Sequence, residues 1–143
     1  MVAPGEVKEG VRSAACRCPA IAAAWVFGSV ARGDARPDSD LDVAVLLRVP
    51  PTTDVMLALY DFAAELEHLA PNGRVDVVVL GEQGPVFRHR VFSEGTLAYD
   101  AAPALRVNFE ARTTVEYLDW KPTHDIAMRN VMAGLRRRFG GRG

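Results

Sequence analysis

The chain has 143 residues, enough for one domain built on one core. Its hydrophobic share of 49% and charged share of 24% exclude a disordered or fibrous chain. A formal net charge of -1 gives no ground for wrapping nucleic acid, so direct nucleic-acid binding is not expected.

The first predicted element is a helix from about Gly5 to Cys18, ended by Pro19. Cys16 and Cys18 stand one residue apart, and a disulfide across so short a loop is strained. With no second cysteine pair to complete a zinc site, they read as small buried or half-buried free thiols in a reducing cytoplasm. No basic start followed by an apolar stretch marks a signal peptide, and no apolar run approaches the ~18 residues that span a bilayer. The expected location is therefore the cytoplasm, away from membranes.

Ile21 to Phe27 is apolar and predicts a strand that stops at Gly28-Ser29, with a short helix starting at Ser29. Ala35 to Ser39 is loop by composition. Leu41 to Leu47 predicts a second strand, broken by Pro50-Pro51. Thr52 or Thr53 caps a helix from Asp54 to Leu69, whose Val55, Leu59, Phe62, Leu66 and Leu69 follow helical spacing. Pro71-Asn72-Gly73 is a turn signal before a third strand, Val75 to Leu80. Pro85 to Phe92 predicts a helix stopped at Gly95, and Thr96 to Tyr99 a short edge strand. Ala104 to Trp120 predicts a long helix ended by Pro122, followed by a last helix from about His124 to Phe139 and a frayed tail, Gly140 to Gly143. Trp25 and Trp120 are expected in the core. Strands alternating with helices imply an α/β or α+β fold, a sheet covered by helices.

The chemistry concentrates in Gly28-Ser29-Val30-Ala31-Arg32-Gly33 and Ser39-Asp40-Leu41-Asp42. Asp40 and Asp42 are two apart at the head of a strand, so both point to one face. Neighbouring like charges resist ionisation, and a divalent cation resolves the conflict. Magnesium takes oxygen ligands and often shares them with substrate phosphates. A strand ending in Gly28-Ser29 before a helix lets backbone N–H groups approach a phosphate, and the Ser29 hydroxyl adds a donor. Neither a Walker loop nor a dinucleotide fingerprint is present. Asp76 is a lone acid in an apolar strand, which needs a charge, a hydrogen bond or a metal. If that strand lies beside Asp40-Leu41-Asp42, three carboxylates converge, and two ions can share them during phosphoryl chemistry. Asp76 is also a candidate general base.

Taken singly, these features are ordinary. An Asp-x-Asp pair is usually a solvated cap, Gly-Ser a turn, and an acid at a strand end a salt-bridge partner. Their joint order carries the reading. His68, His89 and His124 have no partner at metal-ligand spacing and are not assigned a catalytic role. Arg136-Arg137-Arg138 reads as a solvated helix end that suits the helix dipole.

The G-S-x-A-R-G and S-D-x-D segments resemble the motif of the MNT-type minimal nucleotidyltransferases, the MntA-like antitoxins of the DNA polymerase beta-like superfamily. Kanamycin nucleotidyltransferase and tRNA CCA-adding enzymes are distant relatives in that superfamily. The resemblance continues through Phe109-Glu110-Ala111-Arg112 and Tyr117-Leu118-Asp119-Trp120. Many members have Glu after the Arg-Gly pair, whereas this chain has Asp34. The resemblance implies a polymerase beta-like fold, a small mixed sheet flanked by helices. It implies a single nucleotidyltransferase domain over 1-143, with a C-terminal helix and tail from about 104. It also implies ATP as substrate, two Mg2+ ions, and a hetero-oligomer with a HEPN-domain ribonuclease toxin that receives AMP on a tyrosine. By the same analogy Gly28 and Ser29 hold the triphosphate, Asp40 and Asp42 the metals, and Asp76 a metal or the base. Arg32 approaches phosphate or partner, or else forms a structural salt bridge. Two rival readings are a small-molecule (aminoglycoside-type) nucleotidyltransferase and a non-catalytic antitoxin acting by steric cover. The first usually carries an extra substrate-binding domain, for which 143 residues leave no room.

Overall fold

The structure is a computed structural model that describes residues 2–139, except the side chains of 122–125 and 139. In chain order it contains α1 (Pro4–Cys16), β1 (Ile21–Phe27), α2 (Gly28–Arg32), β2 (Leu41–Leu47), α3 (Thr53–Leu66), β3 (Val75–Val79), α4 (Pro85–Glu94), β4 (Thr96–Asp100) and α5 (Pro103–Phe139). One-turn helices, Glu67–Leu69 and Leu80–Glu82, follow α3 and β3.

The four strands form one mixed sheet in the order β3-β2-β1-β4. β1 runs antiparallel to both neighbours, whereas β2 and β3 are parallel and joined by the α3 crossover. The central strands β1 and β2 are covered on both faces, which explains their nearly unbroken apolar runs. On one face α1 and α3 bury Val7, Val11, Leu59, Phe62 and Leu66 against Leu41, Val43 and Val45. The other face packs Trp25, Ala44 and Leu46 against Val91 of α4, with Phe92 and Phe109 at the margin. The Trp25 and Phe92 rings meet at 5.2 Å, and Phe109 stands edge-on to Phe92 at 6.1 Å. Among the described residues no helix is long and apolar enough to cross a membrane.

Thr52 caps α3, its hydroxyl accepting from the Val55 N–H at 3.3 Å. β4 is the edge strand expected from Thr96 onward. Three expectations fail. First, α5 continues through Pro122 as one helix of 37 residues, about 55 Å long. A proline removes one N–H donor, and the Ala-, Met-, Leu- and Arg-rich sequence beyond it favours helix strongly enough to continue. Second, Trp120 is 38% exposed rather than in the core. It lies one turn beyond Tyr117, whose ring stacks on His89 of α4 at 3.9 Å and lies 6.1 Å from the Trp120 ring. Third, Cys16 is exposed, because the last turn of α1 turns Ala14 and Ala15 inward; Cys18 is buried, and both thiols are free. Gly140 to Gly143, expected as a frayed tail, lie outside the described residues.

Candidate active site

Strand register brings the motif residues together. Phe27, the last residue of β1, sits opposite Asp42 of β2, and Asp42 sits opposite Asp76 of β3. Gly28 follows at the same end of the sheet and opens α2. Asp42 and Asp76 occupy matching positions on parallel neighbours, so their side chains leave the sheet on one face. Asp40 immediately precedes β2. The row spans three strands whose order in sequence is separated by α2 and α3.

Gly28 has φ +72°, a left-handed conformation that L side chains avoid. A Cβ there would meet the Asp42 carboxylate, 3.1 Å from Cγ and closer still to Oδ2. Glycine is therefore required twice, once by backbone conformation and once by the approach of the acid. The first turn of α2 starts here, with Ser29 as its second residue, and its leading N–H groups lack intrahelical partners. Gly33 ends α2 in a left-handed cap at φ +79°.

Asp42 is half-buried, whereas Asp40 and Asp76 are exposed. Burial holds the Asp42 carboxyl above the usual carboxylate range, and the charges of Asp76 and Asp40 push it the same way. Arg32 acts in the opposite direction. The Arg32 guanidinium also lies 3.4 Å from Asp34, with half its side-chain surface exposed. It braces the loop through Asp34, the structural reading of this residue, and its charge also acts on Asp42. Ser39 shapes the approach to Asp40: its hydroxyl accepts from the Arg36 N–H, and its own N–H donates to the Arg36 carbonyl, both at 2.9 Å.

The donor set is all carboxylate oxygen, which suits a hard ion such as magnesium. Among the described residues no three acid, histidine or cysteine side chains enclose an ion unaided. The three-carboxylate cluster expected from the sequence is therefore not assembled by the side chains alone, and a magnesium ion here would need phosphate and water for its other positions.

Sequence reading missed Asn72. It reads as a turn residue between Pro71 and Gly73, yet its amide donates to Asp40 Oδ1 and, at 3.1 Å, to the Asp38 carbonyl. The Asn-Gly turn signal locates the loop, but nothing in it indicates a partner more than thirty positions away. Among the histidines, His68 is exposed and His89 is stacked on Tyr117. The side chain of His124 lies outside the described residues.

Known proteins give matching comparisons. The chain resembles a crystal structure of a toxin-antitoxin with AMP-PNP, at TM-score 0.67 and 20% identity over 92% of this chain and 99% of that one. It also resembles a tri-AMPylated Shewanella oneidensis HEPN toxin in complex with MNT antitoxin, at TM-score 0.65 and 18% identity over 90% and 98% of the two chains. A crystal structure of toxin-antitoxin MntA-HepT gives TM-score 0.60 and 19% identity over 90% and 96%. At such identities the likeness is one of fold. The comparison with curated proteins returns no match. The family model described as "Polymerase beta, Nucleotidyltransferase" matches residues 10–104, which takes in the Gly28-Ser29 turn and all three aspartates. Because that match covers well over half of the sequence, the chain belongs to the polymerase beta nucleotidyltransferase family.

Proposed function

We propose that this chain is the antitoxin of a HEPN/MNT pair, a cytoplasmic adenylyltransferase that moves AMP from ATP to a tyrosine of its HEPN ribonuclease toxin. The observation that carries this reading is the place of Asp76: an exposed acid on the edge strand, in register with the half-buried Asp42. The nucleotide side lies inward, at Gly28 and Ser29. The acceptor side opens outward at β3, the edge strand that carries Asp76. A macromolecular acceptor can approach such a site, whereas a small one would find little to enclose it. Exposed apolar residues along α5, including Val115, Leu118, Val131 and Leu135, supply surface for a protein partner. Fold neighbours that include an AMPylated HEPN toxin with its MNT antitoxin support the same class.

In this reading the backbone at Gly28 and the Ser29 hydroxyl hold the triphosphate. Asp40 and Asp42, with Asp76 beside them, would hold Mg2+, which when bound would supply Lewis acidity at the phosphates. The tyrosine oxygen forms a bond to the α-phosphorus, the bond from that phosphorus to the bridging oxygen breaks, and pyrophosphate leaves. Asp76 stands on the acceptor side to receive the phenolic proton. Arg32 faces the developing negative charge.

The test uses ATP labelled in either the α- or the γ-phosphate, with magnesium and a HEPN protein that binds this chain. Label from the α-phosphate should appear on a toxin tyrosine, and label from the γ-phosphate should not. Ser29→Phe should lower that transfer by roughly 100-fold, because a ring at the turn displaces the phosphate. Transfer of γ-label identifies a kinase, and equal transfer by Ser29→Phe moves the phosphate site elsewhere.

A further inference from the structure

We propose that Asn72 is a positioning residue that aims the Asp40 carboxylate. The inference rests on the transferase reading above and adds to it a residue outside the Gly-Ser and Asp-x-Asp segments. Asp42 and Asp76 are held by the β2–β3 ladder, but Asp40 precedes β2 and has no strand partner to fix it. Asn72 takes over that task from the turn before β3. Its side-chain amide donates to Asp40 Oδ1 and to the Asp38 carbonyl at 3.1 Å. Its side-chain oxygen accepts from the Arg74 N–H at 2.8 Å, and its own N–H donates to the Ser39 carbonyl at 3.1 Å. The Leu41 N–H then donates to the Arg74 carbonyl at 2.9 Å. One amide thus uses both its donors and its acceptor to lock the segment leading into β2 against the segment leading into β3. With Oδ1 engaged, Asp40 keeps Oδ2 for a cation and loses rotational freedom. Outer partners of this kind raise metal affinity by about 10–100-fold.

Two roles are separable, since the contact to Arg74 builds the turn and the contact to Asp40 aims a ligand. Asn72→Ser keeps a short side-chain acceptor for the turn but cannot reach Asp40. Asn72→Ala removes both contacts. The measurement is Mn2+ affinity in the presence of AMP-PNP, read by electron paramagnetic resonance of free manganese, together with the melting temperature of the metal-free protein. Both variants should bind manganese about 10-fold or more weakly, with Asn72→Ser melting close to the parent. In an Asp40→Asn background, Asn72→Ser should have almost no further effect, because its influence runs through Asp40. Unchanged affinity in both variants overturns the inference, as does an equal loss with and without the Asp40 carboxylate. Should the parent itself fail to bind manganese with AMP-PNP, the transferase reading falls, and this inference falls with it.

Discussion

Replacing Asp40 and Asp42 together by Asn should abolish nucleotide transfer and leave the metal-free protein at least as stable as the parent. The activity loss should reach about a thousandfold or more. Charge stabilisation by a bound metal amounts to several kcal/mol, and each ~1.4 kcal/mol is tenfold in rate. Stability moves the other way because the Asp42 carboxyl is raised by burial and by the charges of Asp76 and Asp40. A folded-state pKa above the ordinary 3.8 means that the folded protein holds its proton longer than the unfolded chain. Below 3.8 the carboxyl is protonated in both states and has no effect on stability. As pH rises through the raised folded value, ionised Asp42 destabilises the fold. The melting-temperature advantage of the Asn pair should therefore be present at neutral pH and vanish in acid. ATP with magnesium should reverse the order, since only the parent gains from binding. Melting curves at two pH values, with and without MgATP, check each part. Transfer at the parental rate would show that these acids are not the site.

Gly28→Ala should remove most of the transfer activity. The left-handed backbone at Gly28 costs a non-glycine residue about 1–2 kcal/mol, and the added Cβ drives into the Asp42 carboxylate. A misplacement of ~1 Å in a reacting site lowers rate by about 100-fold. Gly33→Ala is the matched control. Its φ of +79° carries the same backbone penalty, but no atom lies within 4 Å of its would-be Cβ. Both variants should lose the stability that the left-handed backbone costs, Gly28→Ala losing at least as much as Gly33→Ala, while only Gly28→Ala loses most transfer activity. The comparison needs melting temperatures and single-turnover rates for the pair. Equal activity losses would mean that the approach to Asp42 is irrelevant and that backbone strain alone explains the glycine.

Much of this site was legible because its residues are punctuation as well as chemistry. Gly28 ends an apolar run, and Leu41 to Leu47 is bounded by polar loop on one side and Pro50-Pro51 on the other, so the predicted strands β1 and β2 match the observed ones. The convergence of Asp42 with Asp76 was conditional, because a parallel pairing through a crossover helix leaves no local signal of register. Irregularities were invisible for the same reason. The register of β1 shifts between Ile21 and Ala23, a bulge that turns both Ala22 and Ala23 toward the α4 side. A run of three alanines carries no period from which to read that. Pro122 misled because a single breaker was weighed above the helix-forming sequence around it. Asn72 escaped notice because its function lies in a contact between distant loops, which a turn signal does not reveal.

The most direct test of the account is the state of the toxin after the two proteins are separated. A HEPN toxin that binds this chain is incubated with it, ATP and magnesium, then repurified and examined by intact mass spectrometry and a ribonuclease assay. The expected result is a mass increase in steps of one AMP unit, mapped to tyrosine, with ribonuclease activity still suppressed. Added AMP places negative charge and bulk beside the RNA-binding surface, so inhibition should outlast the complex. Toxin of unmodified mass that regains full activity on separation would contradict the account and identify a steric antitoxin instead.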